Sequence, residues 1–217
     1  MTEEYPYPII AKEGWTLIFV SLAVVSVLTA FLGLNLFTTL LWIAFIIVLQ
    51  FFRDPPRRVP SMADAVLSPA DGTVLKIEPA KDPVTKEQAL KISVFMNLFN
   101  VHSQRSPVDG VVETVKYTKG SFLSANLDKA SEKNERNAVT VRMENGERVT
   151  FVQVAGLVTH RILCDLKKGD VVQRGDRYGF IRFGSRLDVY VPPESQPLVV
   201  IGEKVLATET VLAKLPD

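Results

Sequence analysis

From Gly14 to Phe52 the chain runs for 39 residues without a charged side chain, most of them Leu, Ile, Val, Phe or Ala. One bilayer crossing needs about 20 predominantly apolar residues, so the run is long enough for two. "LGLN" at 32–35 supplies a turn, because Gly33 and Asn35 both accept turn conformations. The pattern predicts a membrane hairpin over residues 1–53, with helices near 15–32 and 35–52. A secretory signal fits poorly: the run is too long, follows acidic Glu3 and Glu4, and lacks a clear small-residue cleavage site. Directly after it, "FRDPPRRVP" sets Arg53, Arg57 and Arg58 against the single Asp54, and Lys12 marks the other end. Positive residues stay on the cytoplasmic side. Both ends of the hairpin, and everything after it, are expected on the cytoplasmic face of the inner or plasma membrane.

Residues 54–61, "DPPRRVPS", read as a stiff linker, since Pro cannot extend the second helix. Over 62–217 the pattern changes to short β-type runs such as "GTVLKIE", "ALKISVFM", "AVTVRME" and "RLDVYV", separated by Gly, Asp, Asn and Pro. That spacing predicts a mainly β domain, a barrel or sandwich, with one polar segment at 124–137 as a helix fragment or loop. "SPADG" at 68–72 and "SPVDG" at 106–110 echo each other, as two similar corners of a quasi-symmetric sandwich would. With "LKKGDVVQRGDRYGFI" at 166–181, the pattern is similar to the barrel-sandwich folds of lipoyl and biotinyl carriers, a likeness of fold and not of function. Lys and Arg total 25 against 24 Asp and Glu, a net charge of +1 that argues against a nucleic-acid partner. Cys164 is the single cysteine, which excludes an internal disulfide and reads as a small buried apolar residue.

Chemistry-bearing residues are few. His160 lies in an alternating strand pattern and reads as structural, whereas His102, in "FNVHSQRSPVDG", stands at a strand end before a turn. No Cys or His pair has zinc spacing, and there is no Walker loop or dinucleotide fingerprint, so no metal or nucleotide site is expected. Ser185, His102 and Asp71 could supply a hydroxyl, a base and an orienting carboxylate. Ser185, however, follows Gly184 between two strand-like runs in "GFIRFGSRLDVYV", not at the strand-to-helix elbow of a G-x-S-x-G hydrolase.

Taken together, "SPADG", "FNVHSQRSPVDG", "FLSANLDKASEKNERN", "FGSR" and the charge-free hairpin resemble the phosphatidylserine decarboxylase family, and more closely its short prokaryotic branch. The resemblance covers essentially the whole chain. It implies that the Ser185 hydroxyl attacks the Gly184 carbonyl, that the chain cuts itself there, and that Ser185 becomes a covalent pyruvoyl cofactor. A β chain of residues 1–184 and an α chain of 185–217 would then form a heterodimer, within a homodimer if the family habit holds. The pyruvoyl ketone would be the electron sink for decarboxylating a serine phospholipid, either phosphatidylserine or its archaetidyl equivalent. By the same resemblance Asp71 orients a base, His102 is that base or the later proton donor, and Ser185 is the nucleophile and pyruvoyl source.

The family's better-known long branch carries a second His three residues after the first, where this chain has Arg105, and a Ser or Thr where it has Arg186. Arg105, Arg136 and Arg186 are therefore read either as phosphate or carboxylate contacts or as ordinary surface cations. Two other functions stay open on the residues alone. One is a membrane-anchored carrier or adaptor without catalysis, with Lys129 of "LDKA" as its attachment point. The other is an uncleaved serine hydrolase using Ser185, His102 and Asp71.

Overall fold

The computed structural model describes residues 6–125, 133–157, 161–182 and 185–216. It divides into two compact units, Met1–Pro56 and Arg57–Asp217. In the first, a 3-10 turn at Lys12–Gly14 leads into α1 (Trp15–Leu32), followed by α2 (Leu36–Phe51). The turn follows its sequence chemistry. Gly33 adopts φ +70°, and Asn35 caps α2 by accepting from the Thr38 N–H while the Thr38 hydroxyl accepts from the Asn35 N–H. Across the hairpin the Trp42 indole N–H donates to Thr29 Oγ1 at 3.2 Å. The Ala11 N–H donates to the Phe52 carbonyl at 2.8 Å, closing the open end.

Most of the hairpin's apolar surface faces outward, with Phe31 84% and Leu36 78% exposed. Such a surface is unfavourable in water and matches a lipid environment. Lys12–Leu32 is long and apolar enough to cross a membrane. The second helix has 16 residues, about 24 Å at 1.5 Å per residue, somewhat less than the ~30 Å hydrocarbon core.

The second unit is mainly β. Its strands are β1 (Ala65–Leu67), β2 (Gly72–Lys81), β3 (Gln88–Met96), β4 (Ser103–Arg105), β5 (Gly110–Thr118), β6 (Arg136–Arg142) and β7 (Arg148–Val154). Then come β8 (Ile162–Cys164), β9 (Val171–Val172), β10 (Arg177–Ile181), β11 (Ser185–Val191), β12 (Gln196–Pro197), β13 (Lys204–Val205) and β14 (Val211–Lys214). One curled antiparallel sheet has the order β13-β2-β3-β11-β7-β6-β5-β9, and two three-stranded sheets, β1-β14-β12 and β4-β10-β8, complete the domain. The core between them is Val-rich, with Val94, Val112, Val139, Phe151, Tyr178, Val189 and Leu212 buried together. The mainly β domain that the short strand runs predict is thus a curled half-barrel.

The echoed motifs are one corner built twice. The Ser68 hydroxyl donates to the Ala70 carbonyl at 2.7 Å, and the Ser106 hydroxyl to the Val108 carbonyl at 2.8 Å. The corners also hold each other: the Leu67 N–H donates to the Pro107 carbonyl and the Arg105 N–H to the Pro69 carbonyl, both at 2.9 Å. The strands they launch are gripped alike. Val74 exchanges backbone bonds with Gly202 and Glu203, as Val112 does with Gly169 and Asp170. A quasi-twofold therefore relates the stretches from Ser68 and from Ser106, together with the turns that face them.

Strand β11 departs from its sequence pattern. Alternation in "RLDVYV" leads one to expect a solvated polar face, yet every residue of the strand is buried. It lies mid-sheet between β3 and β7. Val189 and Val191 enter the main core, while on the other face Tyr190 packs with Ala89, Ala138, Val152 and Val154. Arg186 and Asp188 are thus enclosed and satisfy each other, with Nε–Oδ1 at 2.8 Å. The Ser93 hydroxyl adds a 2.6 Å bond to Asp188.

Candidate active site

Strand register draws the three expected site residues to one end of the sheet. Ser185, the first residue of β11, lies opposite Met96, the last of β3. Asp71 immediately precedes β2, which pairs with the same end of β3 through Thr73 and Phe95. This approach is close: a Cβ on Gly72 would stand 2.3 Å from the Phe95 carbonyl oxygen, so only glycine fits. His102 follows β3 and precedes β4, whose Ser103 pairs with Phe180 of β10. An apolar cluster of Ala70, Met96, Ile181 and Leu187 includes the residue before Asp71 and the strand partner of Ser185.

His102 is fully buried, and its Nδ1 lies 2.9 Å from the Asn100 carbonyl. A carbonyl can only accept, so the proton sits on Nδ1 and the buried Nε2 is the basic nitrogen of the neutral ring. The Ser185 hydroxyl is also buried and has no hydrogen-bond partner among the described residues. Burying an unmatched hydroxyl costs about 1–3 kcal/mol, a cost that recurs where a group is kept available for chemistry. Its neighbour Gly184 lies outside the described residues, as do His160 and Lys129.

Asp71 is held by an arginine and a backbone amide. Arg57 Nη2 donates to both of its carboxylate oxygens at 2.8 and 2.7 Å, and the Ala207 N–H donates to Oδ1 at 2.9 Å. Arg57 was not singled out as a site residue by sequence reasoning. Its only signal there is its place among the arginines that follow the hairpin.

The three remaining arginines occupy different places. Arg105 is buried and bonds the Gly175 carbonyl at 3.0 Å, bracing the paired corners. Arg186 is buried, bound to Asp188 and to the Ala125 carbonyl at 2.9 Å. Arg136 is half-buried at the start of β6, with Nη1 3.3 Å from the Asn134 carbonyl. None of them is an ordinary exposed cation. As for Cys164, burial pushes its thiol above the usual range, so it remains protonated and weakly nucleophilic at neutral pH.

A buried hydroxyl, a buried imidazole and a buried carboxylate at one end of a mainly β domain, in a chain that also carries a membrane-length apolar helix, fit a membrane-associated enzyme. Residues 44–213 match the model of the phosphatidylserine decarboxylase family. The chain is 56% identical over 211 residues to a phosphatidylserine decarboxylase proenzyme of Paraburkholderia phytofirmans, covering 97% of this chain and 99% of that protein. It is also 56% identical to the protein of that name from Burkholderia mallei, across 98% of both, and 54% identical to that of Paraburkholderia xenovorans. The chain belongs to the phosphatidylserine decarboxylase family and is a decarboxylase.

Proposed function

We propose that this protein decarboxylates phosphatidylserine to phosphatidylethanolamine after cutting its own chain between Gly184 and Ser185. The observation that carries this reading is Ser185: a buried hydroxyl with no hydrogen-bond partner among the described residues, at the head of a strand paired on both sides from Arg186 onward. Attack of the hydroxyl on the Gly184 carbonyl turns the peptide bond into an ester and frees the Ser185 amine. Removal of the Ser185 α-proton then expels the Gly184 carboxylate, and hydrolytic loss of ammonia leaves a pyruvoyl group at position 185. His102, with its basic Nε2, is the group assigned to proton transfer, and Asp71 is the carboxylate that supports it. The pyruvoyl group supplies a ketone that withdraws electrons from the bond to the departing carbon dioxide.

Residues 185–217 form the small chain and 1–184 the large one. The pairing of β11 with β3 and β7 holds the new N-terminus in place after the cut. The apolar hairpin, with Arg53, Arg57 and Arg58 behind it, holds the catalytic unit at the cytoplasmic face of the membrane, where a diacyl lipid presents its head group.

The deciding experiment is an intact mass of the detergent-solubilised protein together with a phosphatidylserine decarboxylation assay. The reading requires one species ending at Gly184, and a second spanning 185–217 that is lighter by one ammonia than its serine-led peptide. A single uncut chain that hydrolyses esters, or one modified at Lys129, would overturn it. A second expectation concerns His102→Ala. General acid–base groups contribute about 10²–10⁴-fold, so a pulse-chase of the newly made variant should show maturation slowed within that range. Maturation and decarboxylation at the normal rate would remove His102 from the mechanism.

A further inference from the structure

The duplicated corner contains its own control. In the copy starting at Ser106, Asp109 accepts from the Arg174 N–H at 2.9 Å and pairs with that residue's own Nε at 3.1 Å. Thus one turn residue supplies both the backbone donor and the charge. In the copy starting at Ser68, Asp71 accepts from the N–H of the equivalent residue, but that residue is Ala207 and carries no charge. The neighbouring turn residue is Gly175 at φ +92° in one copy and Thr208 at φ +70° in the other. A β-branched residue rarely occupies that left-handed region.

The second copy also has an extra residue, Glu209. The Gln173 N–H donates to the Asp176 side chain at 2.7 Å, and the Leu206 N–H makes the matching 3.0 Å bond to Thr210, one place further along. The missing cation comes instead from Arg57, the first residue of the catalytic unit and no part of the duplication. Arg57 binds both Asp71 oxygens and reaches Glu209 at 3.7 Å. The two ion pairs differ in burial as well. The side chains of Arg57 and Asp71 are 10% and 6% exposed, against 25% and 48% for Arg174 and Asp109.

We infer that Arg57 is a positioning residue that fixes the orientation of Asp71 for self-cleavage, whereas the equivalent Arg174–Asp109 pair only holds a turn. The inference rests on Asp71 taking part in maturation. A corner needing only structural support could use the turn's own arginine, as the other copy does. On the site side that position is emptied to Ala, and a fixed, buried guanidinium is brought from outside the repeat. A buried ion pair is far less screened than a surface one, so it can hold a carboxylate in one orientation.

The test uses the full-length chain made in a cell-free system with detergent, following the appearance of the 184/185 products over time. Misplacing a reacting group by about 1 Å costs on the order of 10²-fold. Arg57→Ala should slow cleavage by that order, while Arg174→Ala should cleave close to the normal rate. The double variant Arg57→Ala/Ala207→Arg puts the cation where the other corner carries it and should recover much of the lost rate. Thermal unfolding of each variant in a Ser185→Ala background separates folding from chemistry.

Normal cleavage by Arg57→Ala would overturn the inference. So would equal slowing by Arg174→Ala, or no recovery in a double variant that folds. Asp71→Asn distinguishes the underlying reading: if it is impaired while Arg57→Ala is normal, only the role of Arg57 fails. If Asp71→Asn cleaves normally, the assignment of Asp71 fails with it.

Discussion

Ser185→Ala yields one uncut chain with no decarboxylase activity, in a fold otherwise like the parent. The expectation follows from the double duty that the proposed mechanism gives this side chain: its oxygen would make the cut, and its carbons would become the reactive ketone. The substitution removes a buried hydroxyl that has no hydrogen-bond partner among the described residues. Stability should therefore hold or rise slightly, since an unmatched buried polar group is a cost to the fold. Intact mass and a melting curve of the variant check both halves. A cut chain, or retained lipid decarboxylation, would show that the chemistry lies elsewhere. Ser185→Cys is a useful companion, because a thiol can make the first attack, and slow cutting without activity would separate scission from cofactor formation.

The second large effect is one of stability and lies a single residue further on. Arg186 and Asp188 are buried with side chains 2% and 1% exposed, and both lie on strand β11. Replacing Arg186 with Leu leaves the Asp188 carboxylate enclosed without its charge partner. Breaking such a pair costs about 3–5 kcal/mol. For a domain of this size each kcal/mol moves the midpoint by roughly 2–4 °C, so thermal unfolding of the uncleaved form should shift by on the order of 10 °C. The double variant Arg186→Leu/Asp188→Leu should recover most of the loss, because removing both charges also removes the desolvation penalty. If Arg186 instead served as a phosphate contact, Arg186→Leu would leave the melting point in place and raise KM for the lipid. That result would refute the structural role.

How much of this was legible beforehand depended on whether each feature is local. The hairpin was, because a charge-free run, a glycine turn and a capping asparagine act within a few residues of one another. The α2 cap falls at Asn35 as the turn pattern implies. The mainly β character was legible too, and so was the echo of "SPADG" and "SPVDG". Its physical content was not: the reciprocal bonds between Leu67 and Pro107 and between Arg105 and Pro69 join stretches that are distant in sequence. Alternation in β11 says nothing about burial for a related reason. A period of two shows that a strand has two faces, but not that a second apolar layer covers the polar one. Arg57 reads in the sequence only as a topological charge, because arginines are expected behind a membrane segment, and its pairing with Asp71 is made by the fold.

The central place of β11 has a consequence for the lifetime of the molecule. The stretch from Ser185 onward supplies a mid-sheet strand, an edge strand and two strands of a second sheet, so it is interwoven with the rest and not appended to it. A chain severed at Gly184 keeps that arrangement only as a memory of how it folded when whole. Once unfolded, the two pieces would have to find each other in solution, an encounter that depends on concentration and competes with aggregation. Were the chain cut there as proposed, maturation would be a one-way passage: the fold would have to be complete before the cut, and the finished enzyme, once lost to heat or denaturant, would be replaced by new synthesis, not recovered by refolding.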